Sequence, residues 1–296
     1  MQSKPKAHLA VLITNFLFGI NYASIKFLTP TYIHPIALNM ARVITAFVLF
    51  WLLYFIKPST AGIRKKDIPR FIVCAATGVV LNQLLFVKGL SLTTTIHASL
   101  LALATPIFIT FIAAWLLKEK LNLQKIIGLI LGVGGASLLI LLKDHSVTAS
   151  DMFLGDIFVL MNAVLYAFYM VLVRPLMNTY SPVHVVRWVF TFGLIVLIPF
   201  TGSDFVSTNW SGFSGIHWAV LGLVCVGATF VTYLFNVYGI SIIGASATGS
   251  YIYTQPIFAA IVAMLLMGEH ITIYKIISAT LIFVGVYLVN FKKTLK

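Results

Sequence analysis

Residues 105–140 read TPIFITFIAAWLLKEKLNLQKIIGLILGVGGASLLI, and residues 255–290 read QPIFAAIVAMLLMGEHITIYKIISATLIFVGVYLVN. An offset of 150 sets Pro106-Ile107-Phe108 on Pro256-Ile257-Phe258, Glu119 on Glu269, and Lys125-Ile126-Ile127 on Lys275-Ile276-Ile277. Leu131 then meets Leu281, Gly135 meets Gly285 and Leu138 meets Leu288, while upstream Gly89 meets Gly239 and Ser91 meets Ser241. Chance produces a matching triplet; matches sustained across two consecutive apolar runs imply an internal repeat. The runs are helical. The stretch from Phe108 to Leu117 is apolar without alternation, unlike a strand of a membrane barrel, and in lipid a helix satisfies its backbone groups within one segment.

Composition extends this reading to the whole chain. Of 296 residues, 60% are hydrophobic and only 9% charged, with 23 Phe and 12 Tyr. The mean hydropathy is +1.02. A soluble domain is about a quarter charged, so this chain lacks the polar residues to cover a surface facing water. A cytosolic enzyme, a secreted disulfide scaffold and a disordered regulator are thereby excluded. The net charge of +13 does not point to nucleic acid, because the basic residues lie between apolar runs rather than in a continuous patch. Cys74 and Cys225 fall in separate apolar runs and read as packing residues.

Apolar runs lie near 8–28, 36–56, 70–90, 96–117, 125–142, 154–173, 184–201, 217–237, 246–267 and 273–291. Each is close to the roughly 20 residues that cross a bilayer. The first has no small-residue cleavage site and continues to Leu28, which predicts a membrane helix rather than a removed signal peptide. With the N-terminus in the cytoplasm, ten helices put Lys4, Lys6, Lys57, Arg64, Lys65, Lys66, Arg70, Lys118, Lys120, Lys125, Arg174, Arg187, Lys292, Lys293 and Lys296 on the cytoplasmic side. The opposite loops receive Lys143 and Lys275, and Lys26, Arg42 and Lys88 lie within helices toward the outer side. Fifteen against two is the asymmetry of the positive-inside rule; nine or eleven helices would scatter it. The predicted fold is an all-α integral membrane protein with both termini cytoplasmic in the plasma (inner) membrane. Its ten helices form two five-helix repeats, 1–145 and 146–296, of inverted topology because five is odd, an architecture used for alternating access.

The motif order resembles the EamA-type branch of the drug/metabolite transporter superfamily over nearly the whole chain. The first half carries Phe18-Gly19-x-Asn21, Lys26, Pro35, Arg42, Gly89-Leu90, Pro106, Glu119, Gly128 and Gly135, and the second carries Pro182, Arg187, Gly239-Ile240, Pro256, Glu269 and Gly285. The chain departs from the family where Phe18-Gly19 replaces the common Trp-Gly, and where the sixth helix has Tyr166 in place of a glycine. The resemblance implies a secondary transporter of small molecules.

Polar faces inside the predicted helices give candidate contacts for a substrate. Asn15, Gly19, Tyr22 and Lys26 are spaced 4, 3 and 4, as are Asn162, Tyr166, Tyr169 and Val173. Each set stacks on one helix face and is read as a wall of a central cavity, with interhelical packing as the competing explanation. Asn82, Gln83 and Phe86 in the third helix, Thr232 and Asn236 in the eighth, and Tyr251 and Gln255 in the ninth complete the candidates. His97 reads as a hydrogen-bonded residue rather than a proton carrier. Pro106 and Pro256 interrupt helices and suit either a gate or a static kink. Arg42 and Arg187 read as snorkelling helix anchors, and Glu119 and Glu269 as carboxylates at helix N-termini. Gly128 and Gly132 predict close packing of the fifth helix on a neighbour, or on a second protomer in a homodimer.

The seven acids all fall in expected loops or helix ends, leaving no membrane carboxylate for proton-coupled export of organic cations. Neutral, zwitterionic or anionic metabolites such as amino acids, most naturally exported, fit better. Import or exchange of nucleotide-sugar-like or other phosphorylated solutes is the alternative. No catalytic constellation, metal-ligand spacing or cofactor motif is present in the sequence, so an enzyme is not expected. The expected partners are a small-molecule substrate and the lipid bilayer.

Overall fold

The computed structural model describes residues 4–56, 62–117, 123–141 and 151–290. Glu119, Lys118, Lys120 and Lys57 lie outside them. Among the described residues the chain is helical without β-strands. Eight helices have the length and hydropathy to cross a membrane: α1 (Lys4–Leu28), α2 (Pro35–Ile56), α3 (Lys65–Leu92), α4 (Thr95–Leu116), α5 (Leu123–Leu141), α6 (Met152–Met177), α7 (Pro182–Val206) and α8 (Gly215–Asn236). Two further apolar helices, α9 (Tyr251–Met267) and α10 (Ile273–Leu288), are shorter. At 1.5 Å per residue they extend about 25 Å, below the roughly 30 Å of a hydrocarbon core. Among the described residues, eight of the ten expected helices thus have spanning length and two are shorter. The connection expected between 237 and 246 is also helical, because α8 continues in an α-helical stretch, Thr232–Ser250, that leads into α9.

Burial is reversed relative to a water-soluble protein. Leu9, Phe16, Leu52, Phe55, Trp115, Ile195, Leu265 and Leu266 point outward, whereas Asn15, Asn39, Arg42, Asn82, Gln83, His97 and Asp156 are buried. A lipid solvent accepts the first set, and only the protein interior can satisfy the second. With the hydropathy of the helices, this makes the chain a multi-pass membrane protein.

Helices of the first half pack on helices of the second: α1 on α8 and α9, α2 on α7, α3 on α6 and α5 on α10. Small residues permit the closest crossings. A Cβ on Gly285 would lie 2.6 Å from the Gly128 carbonyl and the Gly132 amide, so the glycine stripe of α5 is used against α10 of the same chain. Gly89 and Gly155 meet in the same way, each 2.8 Å from the other's carbonyl once a Cβ is added. Such backbone contact substitutes for hydrophobic attraction between helices surrounded by lipid.

Several helices depart from α geometry. π-helical turns occupy Ala76–Val80 in α3 and Leu223–Val231 in α8. α4 is interrupted at Leu103 and Ala104, just before Pro106, and α9 opens with a 3-10 turn, Tyr251–Thr254, just before Pro256. Both prolines thus stand at the start of a half-helix, where a missing N–H costs little.

Candidate functional site

The deepest polar grouping is built around Arg42. It lies seven residues beyond Pro35, about 10 Å along α2, and is only 5% exposed. Its Nε donates to Thr229 Oγ1 at 3.1 Å, in the π-helical part of α8, and Thr229 Oγ1 donates onward to the Val224 carbonyl at 2.8 Å. The widened π turn is what turns Thr229 toward α2 while its hydroxyl reaches back five residues. Cys225 and Tyr233 lie within electrostatic reach of the guanidinium. The Gln83 side chain of α3 lies beside the Tyr233 hydroxyl, which also neighbours Tyr166 and Tyr169 of α6. Arg42 Nη1, Gln83 Oε1 and both polar side-chain atoms of Asn39, one turn before Arg42, are buried without a hydrogen-bond partner. The expectation that Arg42 snorkels is overturned: its depth along α2 and its bond to α8 hold it inside the bundle.

The other candidates separate into pairs. Gln255 Nε2 donates to Asn15 Oδ1 at 2.8 Å, linking α9 to α1. Asn82 Nδ2 donates to the Asn162 carbonyl at 3.0 Å and Asn162 Nδ2 to the Asn82 carbonyl at 2.8 Å, a reciprocal tie between α3 and α6. Tyr22 meets Phe86 edge to face at 5.3 Å. Gly19 lies against Phe258 Cβ and the backbone of Ala259 and Gln255, and the Tyr169 ring covers Gly78. Thr232 is buried and bonded to carbonyls of its own helix, Ala228 at 2.9 Å and Thr229 at 3.0 Å. Tyr251 OH bonds His8 Nδ1 at 2.8 Å, and Asn236 is half-buried. Gln83, Tyr166 and Tyr169 thus gather around Tyr233, beside Arg42, while the α1 face meets α9 at Asn15 and Gly19 and α3 at Tyr22. Thr229 and Tyr233, four apart on α8, and Asn39 and Arg42, three apart on α2, are grouped residues that the candidate set missed; their helical spacing was the available signal.

At one end of the bundle a second polar network joins the two halves. Lys26 Nζ donates to the Thr93 carbonyl and, at 3.4 Å each, to those of Leu90 and Ser91. The Thr93 hydroxyl donates to Asp156, whose other oxygen lies 2.9 Å from His97 Nδ1. Glu269 accepts the backbone N–H groups of Thr95 at 2.7 Å and Ile96 at 2.9 Å. It therefore caps α4, not the adjacent α10. Asp156 is fully buried and Glu269 is buried as well, correcting the expectation that the chain has no buried carboxylate, although both lie near helix ends as expected. It follows Gly155, whose close contact with α3 draws the start of α6 inward.

At the opposite end Arg187 lies 4.3 Å from the Tyr54 ring centroid and 5.0 Å from that of Trp51, and bonds His184 Nδ1 at 3.0 Å. His184 stacks on Tyr180 at 5.1 Å. Ile63, Arg64, Thr179, Tyr180, Ser181 and His184 line a cleft of about 570 Å³ there. Arg187 is thus held in an aromatic cage rather than at a helix end. Cys74 and Cys225 are buried free thiols.

Comparison with known proteins places these features in context. The EamA-like transporter family matches residues 5–141 and again 153–291. An uncharacterized transporter of Archaeoglobus fulgidus is 26% identical, over 97% of this chain and 98% of its own. The uncharacterized transporter YoaV of Bacillus subtilis is 24% identical over 97% of each chain. A probable terminal-alkyne amino-acid exporter of Streptantibioticus cattleyicolor is 28% identical over 77% of this chain and 74% of its own. A solved structure, described only as the crystal structure of a protein, superposes with a TM-score of 0.63 at 15% identity and covers 97% of both chains; it shares the fold.

Proposed function

Because the chain belongs to the EamA-like transporter family, we propose that it is a secondary transporter that exports small zwitterionic or anionic metabolites, amino acids among them, by alternating access. The observation that carries this reading is the Arg42 grouping, to which α2 and α3 contribute from the first half, and α6 and α8 from the second. A solute bound there touches both halves, so rocking one against the other would change the side from which it is reached. Recurrence of irregular backbone in α3 and α8, and ahead of Pro106 and Pro256, supports two related halves, 1–145 and 146–296, of opposite orientation. The distribution of lysine and arginine supports cytoplasmic termini in a plasma (inner) membrane. In that orientation the Lys26–Asp156–Glu269 network lies at the outer end and ties that side together. The amino-acid exporter among the relatives favours the substrate class and direction. Phosphorylated solutes have less support, since one guanidinium does not balance a phosphoryl dianion.

The test is metabolite release from cells that express the protein against cells that lack it. Expression should raise extracellular levels of one or a few amino-acid-like solutes and lower their internal pool. Unchanged pools, with the protein present in the membrane, would refute export.

A further inference from the structure

Buried charges are ordinarily paired, because an isolated ion in a low-dielectric interior is strongly disfavoured. Two other cations here come closer to that rule. Lys26 is wrapped by three carbonyls with Glu269 within electrostatic reach, and Arg187 has two aromatic faces and His184. Arg42 departs from it. Its one bonded partner is the neutral Thr229 hydroxyl, its titratable neighbours are Cys225 and Tyr233, and Nη1 has no partner. Beside it, across Tyr233, Gln83 offers an acceptor oxygen that nothing occupies. The missing chemistry is an anionic oxygen for Nη1 and an N–H or O–H for Gln83 Oε1.

We infer that Arg42 anchors the carboxylate of the transported solute, which deepens the transport reading above and rests on it. A flat carboxylate matches the planar guanidinium edge and brings the single negative charge that Arg42 lacks. Gln83 then takes a donor from the same solute, such as an α-amino group, and Tyr166 and Tyr233 border its carbon frame. Arg42 is a binding residue carried at a cost to the empty protein, and losing it should not weaken the fold. Thr229 keeps its bond to the Val224 carbonyl when the arginine is removed.

The experiment follows thermal unfolding of the purified full-length protein, titrated with L-leucine, L-phenylalanine and benzoate. L-leucinamide, L-phenylalaninamide and benzamide, with the carboxylate blocked, and inorganic phosphate serve as controls. At least one carboxylate should raise the melting temperature while its amide does not, and Arg42→Gln should weaken that response at least tenfold. Without ligand, Arg42→Gln should melt at or above the wild-type temperature. If that variant fails to fold, Arg42→Lys supplies the readout, with carboxylate affinity reduced about tenfold. The inference is overturned if amides act like carboxylates, if phosphate alone stabilises, if no carboxylate stabilises, or if the response survives in the variants. Exchange of labelled solutes by liposomes containing the protein separates the two readings. Exchange of solutes without a carboxylate would leave transport standing and remove only the Arg42 anchor; no exchange of any solute would remove transport itself.

Discussion

Glu269→Gln tests whether the two halves are joined by one carboxylate. Its two oxygens accept from Thr95 N at 2.7 Å and Ile96 N at 2.9 Å, the first amides of α4. Glutamine preserves the shape but offers one acceptor, so a charge-assisted bond is lost and an N–H faces an NH₂. A hydrogen bond to a charged group contributes about 1.5–3 kcal/mol, and a carboxylate at a helix N-terminus adds about 0.3–1 kcal/mol. We therefore expect a loss of about 2–4 kcal/mol, seen as a melting temperature lower by several degrees. Thr95→Pro removes the N–H partner. Proline at the first helical position costs only that backbone N–H, together with the Thr95 Oγ1–Met267 Sδ bond, which is independent of the Glu269 carboxylate, and Thr94 before it is already extended, with φ −91° and ψ 157°, as a residue preceding proline should be. If the bond exists, Thr95→Pro should cost at least 1 kcal/mol less in the Glu269→Gln background than alone. Additive losses would refute the cap. Folded Glu269→Gln protein should still transport, because Glu269 does not contact the Arg42 grouping.

Gly285→Val should prevent stable folding, since even a Cβ would sit 2.6 Å from the backbone of α5; wild-type expression and melting behaviour would contradict that packing. Asn82→Ala and Asn162→Ala should each cost about 1 kcal/mol of stability with little change in substrate affinity, because their amides bond each other's backbone. A several-fold affinity loss at unchanged melting temperature would instead mark them as substrate contacts. With Cys74 and Cys225 replaced, a single cysteine at Thr31 should react from outside the cell with an impermeant thiol reagent, and one at Thr179 should not. The opposite labelling would invert the topology.

Several features of the fold were legible because they depend on residue type alone. Few charges and long apolar runs require helices in lipid wherever the chain goes. The glycines of α5 announced a close crossing, although choosing α10 over a second protomer required knowing which faces meet. Depth was not legible. Arg42 follows Pro35 at the start of α2, which in one dimension looks like a helix end. Only the π turn that carries Thr229 toward it makes it an interior residue. Asp156 was misread for a similar reason, since Gly155 draws the start of α6 against α3. The periodicity of Asn15, Gly19 and Tyr22 identified a face turned from lipid, but not that Asn15 and Gly19 are covered by α9 while Tyr22 turns to α3.

The most direct measurement is counterflow in liposomes containing only this protein, preloaded with one unlabelled L-amino acid and diluted into a trace of the same labelled compound, through all twenty. Transport at the Arg42 grouping requires at least one amino acid to accumulate transiently above protein-free liposomes, and Arg42→Gln to abolish that accumulation. Failure of all twenty to exchange through folded, membrane-inserted protein would contradict it.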